Sequence, residues 1–183
     1  MLCFTFPGEG EVLRIALELA DTEPVDFRQE LSLPEGVGGE DVLAWEPVYF
    51  AGRLKKSGSG YAVAGTVSGR GHLRCVRCLG EFEFAFEERF SVQMLPLALA
   101  PQEEEVQLTR KDLDVRFYSE PVLDLLELAC EQVELALPVK PLCREDCLGL
   151  CPRCGADLNQ GACGCPPEVD ERWHKLLDFR PVS

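Results

Sequence analysis

Six cysteines fall between Cys143 and Cys165, in the order C-x3-C-x3-C-x2-C-x8-C-x-C. No other feature of the chain restricts its fold as much. A segment this short cannot bury a core of its own, so cross-links or a metal must hold it. The N-terminus, Met1-Leu2-Cys3-Phe4-Thr5-Phe6-Pro7-Gly8-Glu9, has neither the basic start nor the apolar run of a signal peptide. No stretch approaches the roughly 20 apolar residues of a membrane helix. The expectation is a cytoplasmic protein without a membrane span. In that reducing compartment, clustered thiols point to metal rather than to disulfides.

Within the cluster, Cys151-Pro152-Arg153-Cys154-Gly155 is the central piece. Two thiolates two residues apart can reach one ion from a tight turn, and the glycine lets backbone N–H groups face the sulfurs. Zn²⁺ favours four such ligands in a tetrahedron. Cys163-Gly164-Cys165 lies where a short hairpin would return, and Cys143 and Cys147 lie just upstream; either pair can complete the set. An all-cysteine set closes the coordination sphere and leaves no place for a reacting water, so the expected role is structural.

A second pair, Cys75-Val76-Arg77-Cys78, lies far upstream. Three readings compete: a hairpin knuckle without metal, a contribution to one site with Cys151 and Cys154, or a redox pair activated by Arg74 and Arg77. No βαβ pattern surrounds it, which weighs against the last. Cys3 and Cys130 read as incidental or buried thiols.

Residues 47–95 read as an antiparallel meander. Tyr61, Val63, Val67, Leu73 and Cys75 share one parity, and Thr66, Ser68, Arg70, His72 and Arg74 the other, which should face outward. Phe82, Phe84, Phe86, Phe90 and Val92 line one face of the next strand, with Glu88 marking a bulge or strand end. A helix is expected over 120–137, capped by Ser119, with an apolar stripe of Val122, Leu125, Leu126, Ala129, Val133 and Ala136. The predicted fold class is α+β: an antiparallel β-sheet meander, a helix and a small C-terminal cysteine-rich zinc module. The predicted organisation is a mainly β region over 1–95, an acidic connection over 96–118, the helix and a proline-rich exit over 119–142, and the cysteine module with its tail over 143–183.

The net charge of −14 hides an asymmetry. From Pro47 to Gly80 there is no Asp or Glu, while Arg53, Lys55, Lys56, Arg70, His72, Arg74 and Arg77 all fall there. Arg70, His72 and Arg74 form a row on one face, extended by Arg53 and Lys55, and Arg77 follows in the turn. Such a face can meet phosphates or an acidic protein, or be a solvated face with local ion pairs. No nucleophile elbow, phosphate loop or H-E-x-x-H is present, and two histidines leave little for acid–base chemistry. His174 reads as a surface residue of the tail. The expectation is a binding protein rather than an enzyme, with no small-molecule substrate evident.

Several segments resemble the YceD family of large ribosomal RNA subunit accumulation proteins. They are Cys75-Val76-Arg77-Cys78-Leu79, Leu135-Ala136-Leu137-Pro138-Val139-Lys140-Pro141-Leu142-Cys143, and Cys147-Leu148-Gly149-Leu150-Cys151-Pro152-Arg153-Cys154-Gly155-Ala156-Asp157-Leu158-Asn159. The tail Asp170-Glu171-Arg172-Trp173-His174-Lys175-Leu176 is similar to the family's closing D-P-R-W-x-x-L, with Glu171 in place of the usual proline. The resemblance implies a non-enzymatic role in making or protecting large-subunit ribosomal RNA, with pre-ribosomal RNA or ribosomal proteins as partners. One branch of the family keeps the first cysteine pair without the C-terminal cysteines. That implies two independent cysteine sets, with the zinc module as an elaboration. A zinc-stabilised adaptor without RNA contact, and a thiol-redox protein using Cys75 and Cys78, stand as alternatives.

Overall fold

The computed structural model describes residues 13–101, 107 and 114–166. The chain runs through β1 (Arg14–Ala16), β2 (Val25–Leu31), β3 (Val42–Trp45), β4 (Val48–Ser57), β5 (Gly60–Arg74), β6 (Glu81–Pro96), β7 (Val115–Tyr118), β8 (Val122–Asp124) and the helix α1 (Leu125–Ala136). One six-stranded sheet dominates, in the order β2-β4-β5-β6-β7, with β3 also paired to β5. All its pairings are antiparallel except β6 with β7. β1 and β8 form a separate two-stranded ribbon.

The β4-β5-β6 meander follows from strict alternation along long strands. In β5, Tyr61, Val63, Val67 and Leu73 are buried while Ala64, Arg70 and Arg74 are exposed, as a two-residue period requires. One sheet face carries the core. There Phe50 stacks on Phe90 with ring centroids 5.0 Å apart, and Phe27 tilts against Phe50 at 5.4 Å. Leu125, Leu128, Ala129 and Val133 of α1 join that core, as do Leu17 and Leu123 at the small ribbon. Each such fully buried aliphatic or aromatic side chain contributes roughly 1.5–3 kcal/mol. The opposite face, bearing Asp26, Arg28, Tyr49, Arg53, Arg70 and Arg89, is open to solvent.

Three expectations need correcting. The helix begins at Leu125, not near 120: Asp124 is its N-cap and accepts a hydrogen bond from the Glu127 N–H at 3.0 Å. Val122 and Leu123 are extended and pair with Ala16 and Ile15, so Ser119 and Pro121 precede a strand. Glu88 marks neither bulge nor strand end, because β5 and β6 stay in one register from Tyr61↔Met94 to Arg74↔Glu81. It is exposed on a face otherwise lined by phenylalanines. The 96–118 connection returns to the sheet, since its last residues form β7. The acidic N-terminal region contributes three strands, among them β2 at the sheet edge. Cys3 and the tail with Trp173 and His174 lie outside the described residues.

Gly71 shows how β3 is seated. A Cβ there would lie 2.5 Å from the Trp45 ring and 3.0 Å from the Ala44 carbonyl. The bare backbone admits the indole, whose Nε1 donates to the Val37 carbonyl at 3.0 Å. This fixes the end of β5 from which Cys75 projects.

Candidate metal centres

β5 and β6 are joined by the turn Cys75–Gly80. The Cys75 N–H donates to the Gly80 carbonyl and the Leu79 N–H to the Cys75 carbonyl, both at 2.9 Å. The same two bonds recur around Cys151–Ala156: the Cys151 N–H donates to the Ala156 carbonyl at 2.8 Å and the Gly155 N–H to the Cys151 carbonyl at 2.9 Å. Both turns read C-x-R-C, and both place the residue after the second cysteine in the left-handed region. The chain thus carries two copies of one thiolate-presenting knuckle.

Each knuckle faces a second pair of cysteines. Cys75 and Cys78 meet Cys143 and Cys147, and Cys151 and Cys154 meet Cys163 and Cys165. Within each tetrad all four sulfurs lie within 4.8 Å of one another. In the first, Cys75 and Cys147 are 3.8 Å apart and Cys78 and Cys143 3.7 Å. Sulfurs placed tetrahedrally at ~2.3 Å from an ion are about 3.8 Å apart, so the spacing fits a thiolate-bound metal. It is far beyond a disulfide bond of about 2.05 Å, and the nine described cysteines are free thiols.

The six C-terminal cysteines therefore divide between two centres. The single set expected around Cys151 and Cys154 becomes two because Cys75 and Cys78 supply two further thiols. Of the readings of Cys75 and Cys78, the site shared with Cys151 and Cys154 is overturned: the knuckle joins Cys143 and Cys147, and the upstream and C-terminal sets are not independent. A signal was present. The repeated C-x-R-C turn implies two sites of one kind, and eight cysteines suffice for both. Cys130, half-buried on α1, belongs to neither centre.

The electrostatics of the two tetrads run in parallel. Burial opposes ionisation of Cys75, but backbone N–H donors at Cys78, Cys143 and Arg77 outweigh it and bring the thiol down to about 6. The N–H groups of Cys154 and Arg153, helped by the Cys163 thiol, bring Cys151 down to about 6. Burial and the neighbouring sulfurs of Cys147, Cys78 and Cys75 push Cys143 up to about 12. The sulfurs of Cys154 and Cys163, with burial, push Cys165 up to about 12. One thiolate per tetrad forms readily and another resists, as expected where four like charges converge and a cation is needed to hold them together.

The linker between the centres is itself tightly fixed. Gly149, at φ +76°, approaches the first knuckle so closely that a Cβ would lie 2.9 Å from the Arg77 carbonyl. The Leu150 N–H donates to that carbonyl at 3.1 Å, and the Leu158 N–H to the Gly149 carbonyl at 2.9 Å. Asn159, within the loop of the second tetrad, accepts at Oδ1 from the Leu148 N–H at 2.8 Å and from Arg144 at 2.7 Å. Its Nδ2 points at the Cys147 sulfur, 3.5 Å away, and at Asp157 Oδ1, 2.7 Å away. Nothing in the sequence marks Asn159, because the cysteine it reaches belongs to the other tetrad.

The basic residues are dispersed. Arg53 is ion-paired with Asp26, Arg70 with Glu83 at 3.9 Å, and His72 Nδ1 lies 3.2 Å from Glu81. Arg77 leaves the sheet face and donates to the Cys147 carbonyl at 2.8 Å. Lys55 and Arg74 are exposed and form no ion pair among the described residues. The acids opposite come from β2 and β6, which the charge count over Pro47–Gly80 did not span. Strand pairing also lines up Arg28, Ala51, Thr66 and Arg89 across the open face, and neither terminal arginine of that row is ion-paired among the described residues.

Fold and site together define a sheet protein bearing two knuckle-built cysteine tetrads, each placed so that it could hold a metal ion. Residues 63–180 match the family model described as large ribosomal RNA subunit accumulation protein YceD. The chain belongs to that family. It is 32% identical over 127 residues to an uncharacterised protein of Mycobacterium bovis and to one of Mycobacterium tuberculosis, covering 69% of this chain and 59% of each relative. An uncharacterised protein of Mycobacterium leprae is 30% identical over 139 residues, 75% of this chain and 62% of the relative. The matched part thus spans about three fifths of these relatives, 59% for the first two. No solved structure matches the chain. Among the described residues, no helix is long and apolar enough to cross a membrane.

Proposed function

We propose that this protein is a non-enzymatic factor for large-subunit ribosome assembly, acting in the cytoplasm on pre-ribosomal RNA or on ribosomal proteins, with both cysteine tetrads holding structural Zn²⁺. The observation that carries the reading is the pair of tetrads within a chain of the ribosomal RNA accumulation family. Four thiolates suit zinc over harder ions, and they fill its coordination sphere. That supports a structural centre over a hydrolytic one. When bound, zinc supplies a cross-link between segments too small to hold themselves.

Contact with RNA best suits the open sheet face, at the row from Arg28 to Arg89 with the exposed Tyr49 beside it. Small residues between the arginines leave room for a strand of RNA, and an aromatic can stack a base. The test is sedimentation of cell extracts at low salt. The protein is expected with large-subunit precursors, and Arg28→Glu with Arg89→Glu is expected to release it. Absence from those particles, with normal large-subunit RNA in cells lacking the protein, overturns the proposal.

The carboxylates beside Arg53, Arg70 and His72 favour a second reading, a zinc-stabilised adaptor that binds protein and no RNA. In that case charge reversal at Arg70 and Arg74, or at Arg28 and Arg89, leaves RNA association unchanged.

A further inference from the structure

The two centres differ in how they are assembled. The second draws all its ligands from Cys151–Cys165, one continuous segment, and can close locally. The first needs a sheet turn and a post-helix segment, with Cys75 and Cys147 separated by 72 positions. Part of what positions the C-terminal half of the first centre comes from the second. Cys147 lies just before the linker Leu148–Leu150, whose backbone is held by the Arg77 carbonyl on one side and by Leu158 and Asn159 on the other.

Asn159 links the two: it lies in the loop that the second tetrad closes and reaches the first. It sits between Cys154 and Cys163 in sequence, yet its side chain donates to the Cys147 sulfur and accepts from Leu148 N–H. An N–H directed at a thiolate offsets its charge and orients it, and loss of such a partner typically lowers metal affinity about 10–100-fold. Asn159 is held in place by Asp157, whose Oδ1 accepts from the Asn159 N–H at 2.9 Å as well as from its amide. Closing the Cys154–Cys163 loop therefore presents a preformed donor to the other centre.

We infer that the two centres fill cooperatively, with Asn159 as the coupling residue. The inference rests on the reading that both tetrads bind zinc. Coupling between two binding sites is reciprocal, so each filled centre must raise the other's affinity by the same factor. Asn159 is a positioning residue, not a ligand.

The test uses the full chain, with Zn²⁺ competed against a chelator and Co²⁺ substitution reporting tetrathiolate coordination at each centre. Cys163→Ser, which disables the second centre, is expected to lower the first centre's affinity by about tenfold or more. Cys143→Ser is expected to lower the second centre's affinity by the same factor. Asn159→Ala is expected to weaken the first centre, and in that background Cys163→Ser should have little further effect. Asn159→Asp keeps the acceptor but loses the N–H donor, and should weaken the first centre likewise while the sheet's unfolding stays cooperative. Unchanged affinity at the first centre in Cys163→Ser and in Asn159→Ala overturns the coupling. A wild-type chain with fewer than two zinc ions overturns the two-centre reading itself, so the two failures are distinct.

Discussion

Leu79 and Gly155 occupy the same position in two copies of one turn, and both are left-handed, at φ +59° and +70°. Each follows the second cysteine of a knuckle, and each N–H closes back onto the first cysteine's carbonyl. Glycine takes this conformation without penalty, whereas a leucine pays roughly 1–2 kcal/mol. Leu79 is 59% exposed, so packing returns little of that cost.

Leu79→Gly is therefore expected to keep both metal centres and to raise stability by up to about 1 kcal/mol, since glycine's added freedom in the unfolded chain offsets part of the relief. Gly155→Leu should lose about 1–2 kcal/mol. Denaturant unfolding of the zinc-loaded protein measures both. A Leu79→Gly variant less stable than wild type by more than 1 kcal/mol would show that the leucine side chain is held by contacts beyond those described.

Ligand bookkeeping gives a second prediction. Cys75→Ser and Cys143→Ser should each lower bound zinc from two ions per chain to one, and Cys130→Ser should leave two. Cys75 is fully buried, so its loss removes the strap between sheet and C-terminal segment at a cost of about 2–5 kcal/mol, comparable to losing a structural cross-link. Metal analysis with thermal unfolding checks both parts. Two ions retained in Cys75→Ser would return the first knuckle to a purely backbone role.

How much of this was legible in the sequence depends on how local the cause is. The meander and the parity of Val63, Val67 and Leu73 were readable, because alternation is imposed residue by residue. So was the placing of Cys151 and Cys154 in one thiol cluster. The start of the helix was misplaced because Val122 and Leu123 fit an apolar stripe as well as a strand, and only pairing with Ile15 and Ala16 decides. The partners of Cys75 and Cys78 lie about 70 residues away, across β6, β7 and α1, and no spacing rule reaches that far. The acids beside the basic row were illegible for the same reason: Glu83 meets Arg70 and Glu81 meets His72 from the next strand.

Proton linkage gives a third prediction. Zinc binds thiolates, so the loaded form carries fewer protons and acid favours the empty one. At neutral pH Cys75 and Cys151, at about 6, are already ionised. Cys143 and Cys165, at about 12, are not, and the Cys78 thiol is also pushed up. Loading at pH 7 should therefore release at least two protons at the first centre and at least one at the second. Each proton displaced weakens affinity about tenfold per pH unit of acidification. Below pH ~6 Cys75 and Cys151 take up protons too, so the loss of zinc should steepen by one proton per centre. Zinc retention against pH, with titration of released acid, tests this. Loading at pH 7 without proton release would contradict it.

The seat of Trp45 provides the last prediction, since it ties β3 to the strand that carries Cys75. Gly71 lies opposite Trp45, and a methyl group there would lie 2.5 Å and 2.6 Å from two ring carbons. Neither the indole nor the Ala44 carbonyl at 3.0 Å can yield without breaking the ladder or the bond from Trp45 Nε1 to Val37. Overpacking of this kind costs about 1–3 kcal/mol. Gly71→Ala should therefore unfold at lower denaturant and shift Trp45 emission to the red as the ring is driven into water. Because Cys75 follows that end of β5, the variant should also lose zinc from the first centre at lower chelator concentration than wild type, with the second centre less affected. Gly71→Ala at wild-type stability with unshifted emission would show that β3 is not held by this ring, and that the position of Cys75 is set by the turn alone.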